Sequence, residues 1–276
     1  MSNTLLLRFA IEELVYLLRA LQIGEFPGLE EQPLGKLDAD HQALALAVAD
    51  RTLRARHIVR WEGQENRAVD PIAAGLLRDA AHPRYTLLAD VAIAGTSSIR
   101  YLFTFSEYAA IEHWQPEPGI HQFLAIGDLP EVIAHLRVLL LGDENTTPAR
   151  QPESDKLHLS RARLERLAAI TDTAEAVRLL AAELPQDIAE SLAVAYLAPR
   201  RLLHLALWQG VPSEHENRQP VNTLTFIEGE QHIFVILNAD ASDTQLEITA
   251  TTATQAWHAV AQLLRPALQV LPEPKE

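Results

Sequence analysis

Two stretches of the chain carry the same succession of secondary-structure signals, and this correspondence limits the possible folds more than any other feature. Residues 72–84 and 188–200 are Ala- and Leu-rich segments that each end in Pro-Arg, at an offset of 116 residues (188 − 72). Each is followed by an apolar strand pattern, over residues 85–94 and 201–209, that a glycine closes. Because proline stops a helix and glycine favours a turn, each half of the chain is predicted to run from a helix into a strand.

The correspondence continues through three more predicted strands. Phe103 matches Phe226 at an offset of 123 (226 − 103), because the loop before this strand is longer in the second half. A third strand follows at the same offset. A fourth matches Leu124 with Ile248 at an offset of 124 (248 − 124). Apolar residues alternate along these segments, which is typical of strands that are buried on one face.

Both series end in a predicted helix that begins on a capping box, Asp128–Glu131 in the first half and Thr252–Gln255 in the second. The predicted fold class is therefore α+β. It consists of internally duplicated helix–four-stranded antiparallel meander–helix units related by a pseudo-twofold axis, plus extra helices. Each meander leaves two open edges, so the copies are expected to pair as one continuous sheet or as two packed sheets.

The remaining segments predict additional helices and the domain boundaries. Residues 5–23 place Arg8, Glu12, Tyr16 and Arg19 on one helical stripe, which indicates an amphipathic helix. Further helices are predicted over residues 38–56, Leu159–Ile170 and Thr173–Leu184. Residues 1–142 form the N-terminal helices and the first repeat, residues 143–158 a polar linker, and residues 159–276 the second repeat with its helix pair.

Charge and cysteine content exclude several classes of function. The formal net charge is -14, whereas binding to nucleic acid or to an anionic membrane surface depends on clustered Lys and Arg. The chain has no cysteine, which excludes thiol nucleophiles, disulfides and cysteine-based metal sites. Charged residues interrupt the apolar N-terminal stretch, so no membrane insertion is expected. We expect a cytoplasmic protein.

The sequence contains no phosphate-binding glycine loop, nucleophile elbow or zinc-binding helix motif. Glu112, His113 and His121 are a conceivable metal set, but successive strand residues such as Glu112 and His113 point to opposite faces of a sheet. Asp38–His41 is explained by the acidic start of a helix. We predict no catalytic residues, no metal and no cofactor. The alternative is a small-molecule-binding or hydrolytic protein that uses histidines and carboxylates in the groove between the repeats.

Binding to another protein is the function that these exclusions favour. Only the second half has the long Val211–Pro220 loop, so we expect that half to carry the contact, with Trp208 beside the loop as its centre. Glu214, His215 and Glu216 are the predicted polar contacts within the loop. An amphipathic helical protein is the expected partner.

The order of elements also resembles a known family. Residues 56–71 with the following Leu76-Leu77 helix and Pro83, the Ile-Glu-His-Trp strand at 111–114 and the terminal helix at 256–264 are similar to EspG, the secretion-associated chaperones of type VII (ESX) systems. The resemblance implies a cytosolic, non-enzymatic chaperone with quasi-twofold architecture. It also implies binding of the helical tip of PE–PPE substrate pairs through a sheet-proximal loop and the C-terminal helical bundle. No motif carries individual binding residues over to this chain.

Overall fold

The computed structural model describes residues 5–30, 32–62, 66–127, 129–142, 156–212, 219–238 and 244–271. Within these ranges there are eight α-helices and twelve β-strands. The helices are α1 (Ile11–Ala20), α2 (Ala39–Ala55), α3 (Pro71–Ala81), α4 (Leu129–Leu141), α5 (Arg161–Leu167), α6 (Thr173–Leu180), α7 (Gln186–Leu197) and α8 (Ala253–Leu268). The strands are β1 (Leu5–Ala10), β2 (Val59–Glu62), β3 (Asn66–Val69), β4 (Tyr85–Ile93), β5 (Ile99–Phe105), β6 (Ala110–Glu117), β7 (Ile120–Ile126), β8 (Lys156–Ser160), β9 (Arg201–Gln209), β10 (Asn222–Glu228), β11 (Ile233–Asn238) and β12 (Gln245–Thr251).

Ten of these strands form one sheet in the order β1-β7-β6-β5-β4-β9-β10-β11-β12-β8, and β2 and β3 form a separate hairpin. Every neighbouring pair in the large sheet is antiparallel. The predicted α+β class with two four-stranded meanders is therefore confirmed. Of the two arrangements left open, the chain adopts the continuous sheet, joined through β4 and β9.

β4 pairs with β9 in the register that is expected if a twofold axis through the sheet relates the two halves of the chain. Ala89 lies opposite Leu205, and these two residues also differ by the predicted offset of 116 (205 − 89). The glycines that close β4 and β9, Gly95 and Gly210, both have a positive φ, at 78° and 75°. These backbone angles favour glycine over other residues. The two halves have the same strand order and the same strand directions. Their origin by duplication stays a prediction.

The offset predicted for the fourth strand is wrong by one residue. Ala125 pairs with Ile111 in the first half and Ala250 pairs with Phe234 in the second, so the true offset is 125 (250 − 125). A shift of one residue moves every side chain to the other face of a strand. Leu124 thus corresponds to Thr249, whereas Ile248 packs on the opposite face of the sheet.

Two predicted helices begin instead with edge strands of the sheet. Residues 5–10 form β1 before α1 starts at Ile11, so Arg8 is not part of a helical stripe. Residues 156–160 form β8 before α5 starts at Arg161, where the prediction placed the end of the linker and the start of a helix. Each edge strand pairs with the last strand of its own meander, which makes five strands per half. The remainder of the predicted linker, residues 143–155, lies outside the described residues, and the domain boundaries stay a prediction.

The two faces of the sheet are covered differently. α4 and α8 share one core with β4, β5, β9, β10 and β11 on the first face. On the second face, α1, α2 and α3 pack on the first half of the sheet. α5, α6 and α7 pack on the second half. The cores on the second face are separate, which leaves the middle of that face between two groups of helices. No helix among the described residues is long and apolar enough to cross a membrane.

The capping box predicted at the start of α8 is present. Thr252 Oγ1 accepts a hydrogen bond from the Gln255 amide at 3.3 Å, and Gln255 Oε1 accepts one from the Thr252 amide at 3.1 Å. The equivalent box of α4 begins at Asp128, outside the described residues. We expect Thr252→Ala to lower the free energy of unfolding by about 1 kcal/mol, because it leaves a helix amide without an acceptor. Urea denaturation measures the free energy of unfolding. Thr173→Ala, at an exposed position in α6, is the control and should change this free energy little.

Candidate functional site

A groove runs over the middle of the second sheet face, where the described helices leave β4 and β9 partly uncovered: Leu88 and Asp90 are half-buried there and His204 is exposed. On one side α3 packs over β5 and β6, and on the other α7 packs over β10. The floor consists of the even-numbered residues of β4 and β9, because the odd-numbered ones, such as Leu87 and Leu205, lie in the core beneath α4 and α8. We refer to this feature as the central groove.

The central groove is about one α-helix wide. Three strand spacings separate β5 from β10, which is about 14 Å, and the position of α3 between β5 and β6 raises the distance between helix axes to roughly 17 Å. A helix placed between two others needs two packing distances of about 8–10 Å each. One further helix therefore fits between α3 and α7 on the open sheet.

A row of polar side chains crosses the floor of the central groove on four adjacent strands. Arg100 lies opposite Asp90, Asp90 opposite His204, and His204 opposite Thr225. Arg100 donates two hydrogen bonds to the Asp90 carboxylate, from Nε to Oδ1 at 2.7 Å and from Nη2 to Oδ2 at 3.1 Å. His204 Nδ1 lies 3.2 Å from Thr225 Oγ1. Desolvation lowers the pKa of His204, although the Asp90 carboxylate opposes this shift, so a neutral imidazole faces the groove at pH 7.

Apolar side chains flank this polar row on the same face. Leu88 is half-buried and Ala206 is buried in the centre of the sheet, and they lie opposite one another. Ile72 in α3 and Val194 in α7 are single exposed aliphatic residues of the flanking helices, at 60% and 50% exposure. Leu88 and Ala206 therefore provide the apolar part of the groove floor.

Trp208, the predicted central contact, lies at one end of the central groove. It is half-buried, and its indole Nε1 is buried without a hydrogen-bond acceptor among the described residues. Trp208 also lines an open cavity of about 900 Å³, whose other walls include Tyr85 at the start of β4 and Pro266 near the end of α8. Glu214, His215 and Glu216 lie outside the described residues, so their predicted role is not tested.

The histidines and the carboxylate considered as metal ligands are separated by the sheet. His135 Nε2 on α4 lies 2.6 Å from Glu112 Oε2, whereas His113 faces the opposite core. The prediction that the Glu112 and His113 side chains point to opposite faces of the sheet is thus confirmed. Among the described residues, no group of three or more histidine, cysteine or carboxylate side chains could hold a metal ion. Asp38 accepts a hydrogen bond from the His41 amide as the N-cap of α2, as predicted.

His113 and His121 form a buried pair beneath α1 and the segment that follows it. His113 Nε2 lies 2.9 Å from His121 Nδ1, and the His113 ring stacks on Phe123 with centroids 4.4 Å apart. Burial, with a smaller contribution from His121, lowers the pKa of His113 to about 3. Burial lowers the pKa of His121 to about 4. Both rings are therefore neutral at pH 7 and belong to the core of the first half.

Comparison with known proteins identifies the fold. No protein-family model matches the sequence, and no curated protein matches it. Among solved structures, the Mycobacterium tuberculosis type VII secretion system chaperone EspG5, in complex with a PE25–PPE41 dimer, aligns with a TM-score of 0.64 and 11% sequence identity. The alignment covers 99% of this chain and 99% of that chain. The chain has the fold of an EspG chaperone.

Because the match spans both chains almost completely, it includes the edge strands and the helices on both faces. The resemblance predicted from the sequence is confirmed at the level of the fold. At 11% identity the match does not transfer individual residues, so the chemistry of the central groove is derived from this chain alone.

Proposed function

We propose that this protein is a non-enzymatic chaperone or adaptor that binds a helical protein partner in the central groove. The groove supports this most directly, because its floor combines apolar and polar side chains and its width of about 17 Å between helix axes suits one helix. The likeness to EspG5, which was solved with a PE25–PPE41 dimer, agrees with this function. In its finer form, the proposal is that the partner is a type VII secretion substrate of the PE–PPE kind, kept soluble in the cytosol.

The chemistry of the floor defines the kind of helix that would fit. Leu88, Ala206 and Trp208 offer an apolar strip, and the Arg100–Asp90 pair and His204 offer polar contacts across it. A helix with one apolar face and a few polar residues at the margin of that face would match both the apolar strip and the polar contacts. Such a face aggregates when left exposed to water, which is the reason for a chaperone to cover it.

The alternative, hydrolysis by histidine and carboxylate groups, is not favoured by the geometry of the groove. Asp90 and His204 are neighbours there, but both carboxylate oxygens of Asp90 are bound by Arg100. His204 instead pairs with Thr225 through Nδ1. A general base that is oriented by a carboxylate requires a hydrogen bond between the two groups.

Trp208 is the proposed aromatic anchor, and Glu214, His215 and Glu216 are proposed as polar contacts at the rim. We expect Trp208→Ala to weaken binding of the helical partner by about 30-fold, because a large aromatic residue at an interface contributes about 2 kcal/mol. Trp61→Ala, in the β2–β3 hairpin on a different surface, is the matched control and should change affinity less than about threefold. Equal losses in the two variants would contradict the assignment of Trp208.

The function itself is tested by recovering the full-length protein with its partner from the native host. The expected result is a stoichiometric complex with a predominantly helical protein, which is then purified separately and titrated against the chaperone by calorimetry. The chaperone should also keep this partner soluble when both are expressed together. Recovery of the protein free of any partner, together with turnover of a small-molecule substrate, would support the hydrolytic alternative instead.

A further inference from the structure

The first half contains a second cleft, on a surface separate from the central groove. It lies between α1, α2 and the β2–β3 hairpin and has a volume of about 1000 Å³. This is at the upper end of the volumes found for small-molecule sites. Four arginines line it, Arg19 from α1, Arg51 and Arg54 from α2 and Arg67 from β3.

The charge of this cleft is opposite to that of the whole chain. Its lining holds four arginines and one acid, Asp50, in a protein with a formal net charge of -14. Asp50 is already engaged, because Arg54 Nε binds its Oδ2 at 3.0 Å and the Tyr16 hydroxyl donates to its Oδ1. Within the described ranges, Arg19, Arg51 and Arg67 form no ion pair with a carboxylate. Three guanidinium groups are thus available at one cleft.

The hairpin adds a flat surface beside these charges. The Arg67 guanidinium lies over two rings, 5.3 Å from the centroid of Tyr16 and 5.1 Å from that of Trp61. These contacts hold the Arg67 side chain against the hairpin and α1. Trp61 remains 42% exposed. A planar group of a ligand could therefore stack beside Arg67 while its charged end meets the other arginines.

We propose that the cleft between α1, α2 and the β2–β3 hairpin binds a small phosphate-bearing molecule. Guanidinium groups pair with phosphate oxygens through two parallel hydrogen bonds, and several arginines can share one phosphate group. The concave shape favours a small molecule over an extended chain. The strongly negative net charge disfavours nucleic acid, whereas screening over about 10 Å lets a local cationic site bind a small anion.

The experiment titrates the full-length protein by calorimetry with three probes, inorganic pyrophosphate, ATP and uncharged adenosine, in about 0.1 M salt. We expect pyrophosphate and ATP to bind at a ratio of one to one with dissociation constants below about 1 mM, and adenosine to bind more weakly than ATP by at least about tenfold. Binding of the charged probes should weaken as salt increases.

Variants separate a binding site from a cluster that only supports the fold. Arg19→Gln and Arg51→Gln each remove an exposed guanidinium without a described partner, so each should weaken pyrophosphate binding by about tenfold and leave the unfolding midpoint unchanged. Arg60→Gln is the control. It makes the same charge change on β2, but Arg60 is adjacent to Trp61 in the strand and points to the other side of the hairpin.

Three results would overturn the proposal. One is the absence of pyrophosphate and ATP binding below about 1 mM. Another is an equal loss of affinity in Arg60→Gln and Arg51→Gln, which would indicate non-specific attraction. The third is arginine-dependent binding of a glutamate-rich peptide without binding of either phosphate probe, which would assign the cleft to an acidic protein segment.

Discussion

His204→Trp should reduce binding of the helical partner by at least about a hundredfold and leave the protein folded. His204 is exposed in the middle of the central groove, with β4 on one side and β10 on the other. An indole ring at this position would occupy space that a docked helix needs, since the groove between α3 and α7 is only one helix wide. Loss of the central contacts of a helix-in-groove interface costs on the order of 3 kcal/mol or more.

His158→Trp is the matched control for this substitution. His158 is also an exposed histidine on a strand, but it lies on β8, at the far edge of the sheet. It should change affinity less than about threefold, and neither variant should alter the free energy of unfolding by more than about 1 kcal/mol. If His204→Trp binds the native partner as tightly as the parent protein does, the central groove is not the binding site. Loss of affinity in both variants would point to an effect of the new indole itself.

The central part of the fold was predictable because it depends on strand pairing within and between two similar halves. The offset of 116 residues matches Tyr85–Ile93 to Arg201–Gln209 without a gap, and these ranges are the two nine-residue strands β4 and β9. The predicted match between the fourth strands of the two halves was wrong by one residue, because apolar residues occur on both faces of this strand. Leu124 packs towards the first face and Phe123 is buried on the second, so the apolar pattern does not fix the register.

The edge strands could not be predicted from periodicity. Residues 5–10 contain five apolar residues and lead directly into α1, so the two elements resemble one helical stretch. The usual N-cap signal is missing at the boundary, since Ala10, the N-cap of α1, has no side-chain oxygen, and only Glu13 Oε2 accepts a hydrogen bond from the Ala10 amide at 3.1 Å. β1 exists because β7 provides an edge with unpaired backbone groups, which is a tertiary effect.

The candidate site was predicted only in part, for a related reason. Trp208 was predicted from its place before a long loop and its role stays a prediction, whereas the Arg100–Asp90–His204–Thr225 row was not predicted. The Arg100–Asp90 and His204–Thr225 pairs belong to different halves and become neighbours only when β4 pairs with β9. The 116-residue offset relates Asp90 to Ala206 and His204 to Leu88, so it does not by itself predict that Asp90 lies opposite His204. The partial exposure of these strands between α3 and α7, in contrast, has no local signal in the sequence.

Acidification should destabilise the protein strongly through the buried histidine pair. The pKa of His113 is about 3 and that of His121 about 4 in the folded state, below the ordinary value of 6.5 that applies after unfolding. Below pH 6.5 the unfolded state therefore binds more protons than the folded state, and the free energy of unfolding falls as the pH falls towards 3. For His113 alone the loss is on the order of 3 kcal/mol at pH 4.

His113→Gln isolates this contribution, because a glutamine amide can still donate a hydrogen bond to His121 Nδ1 but does not titrate. Urea denaturation at a series of pH values between 7 and 4 should give a pH dependence about half as steep as in the parent protein. The exposed His158→Gln should leave the dependence unchanged. Burial is the main cause of the low pKa of His113, so the effect requires the pair to stay enclosed by Phe26 and Phe123. A variant that loses stability on acidification as steeply as the parent would show that other groups, and not this pair, govern unfolding in acid.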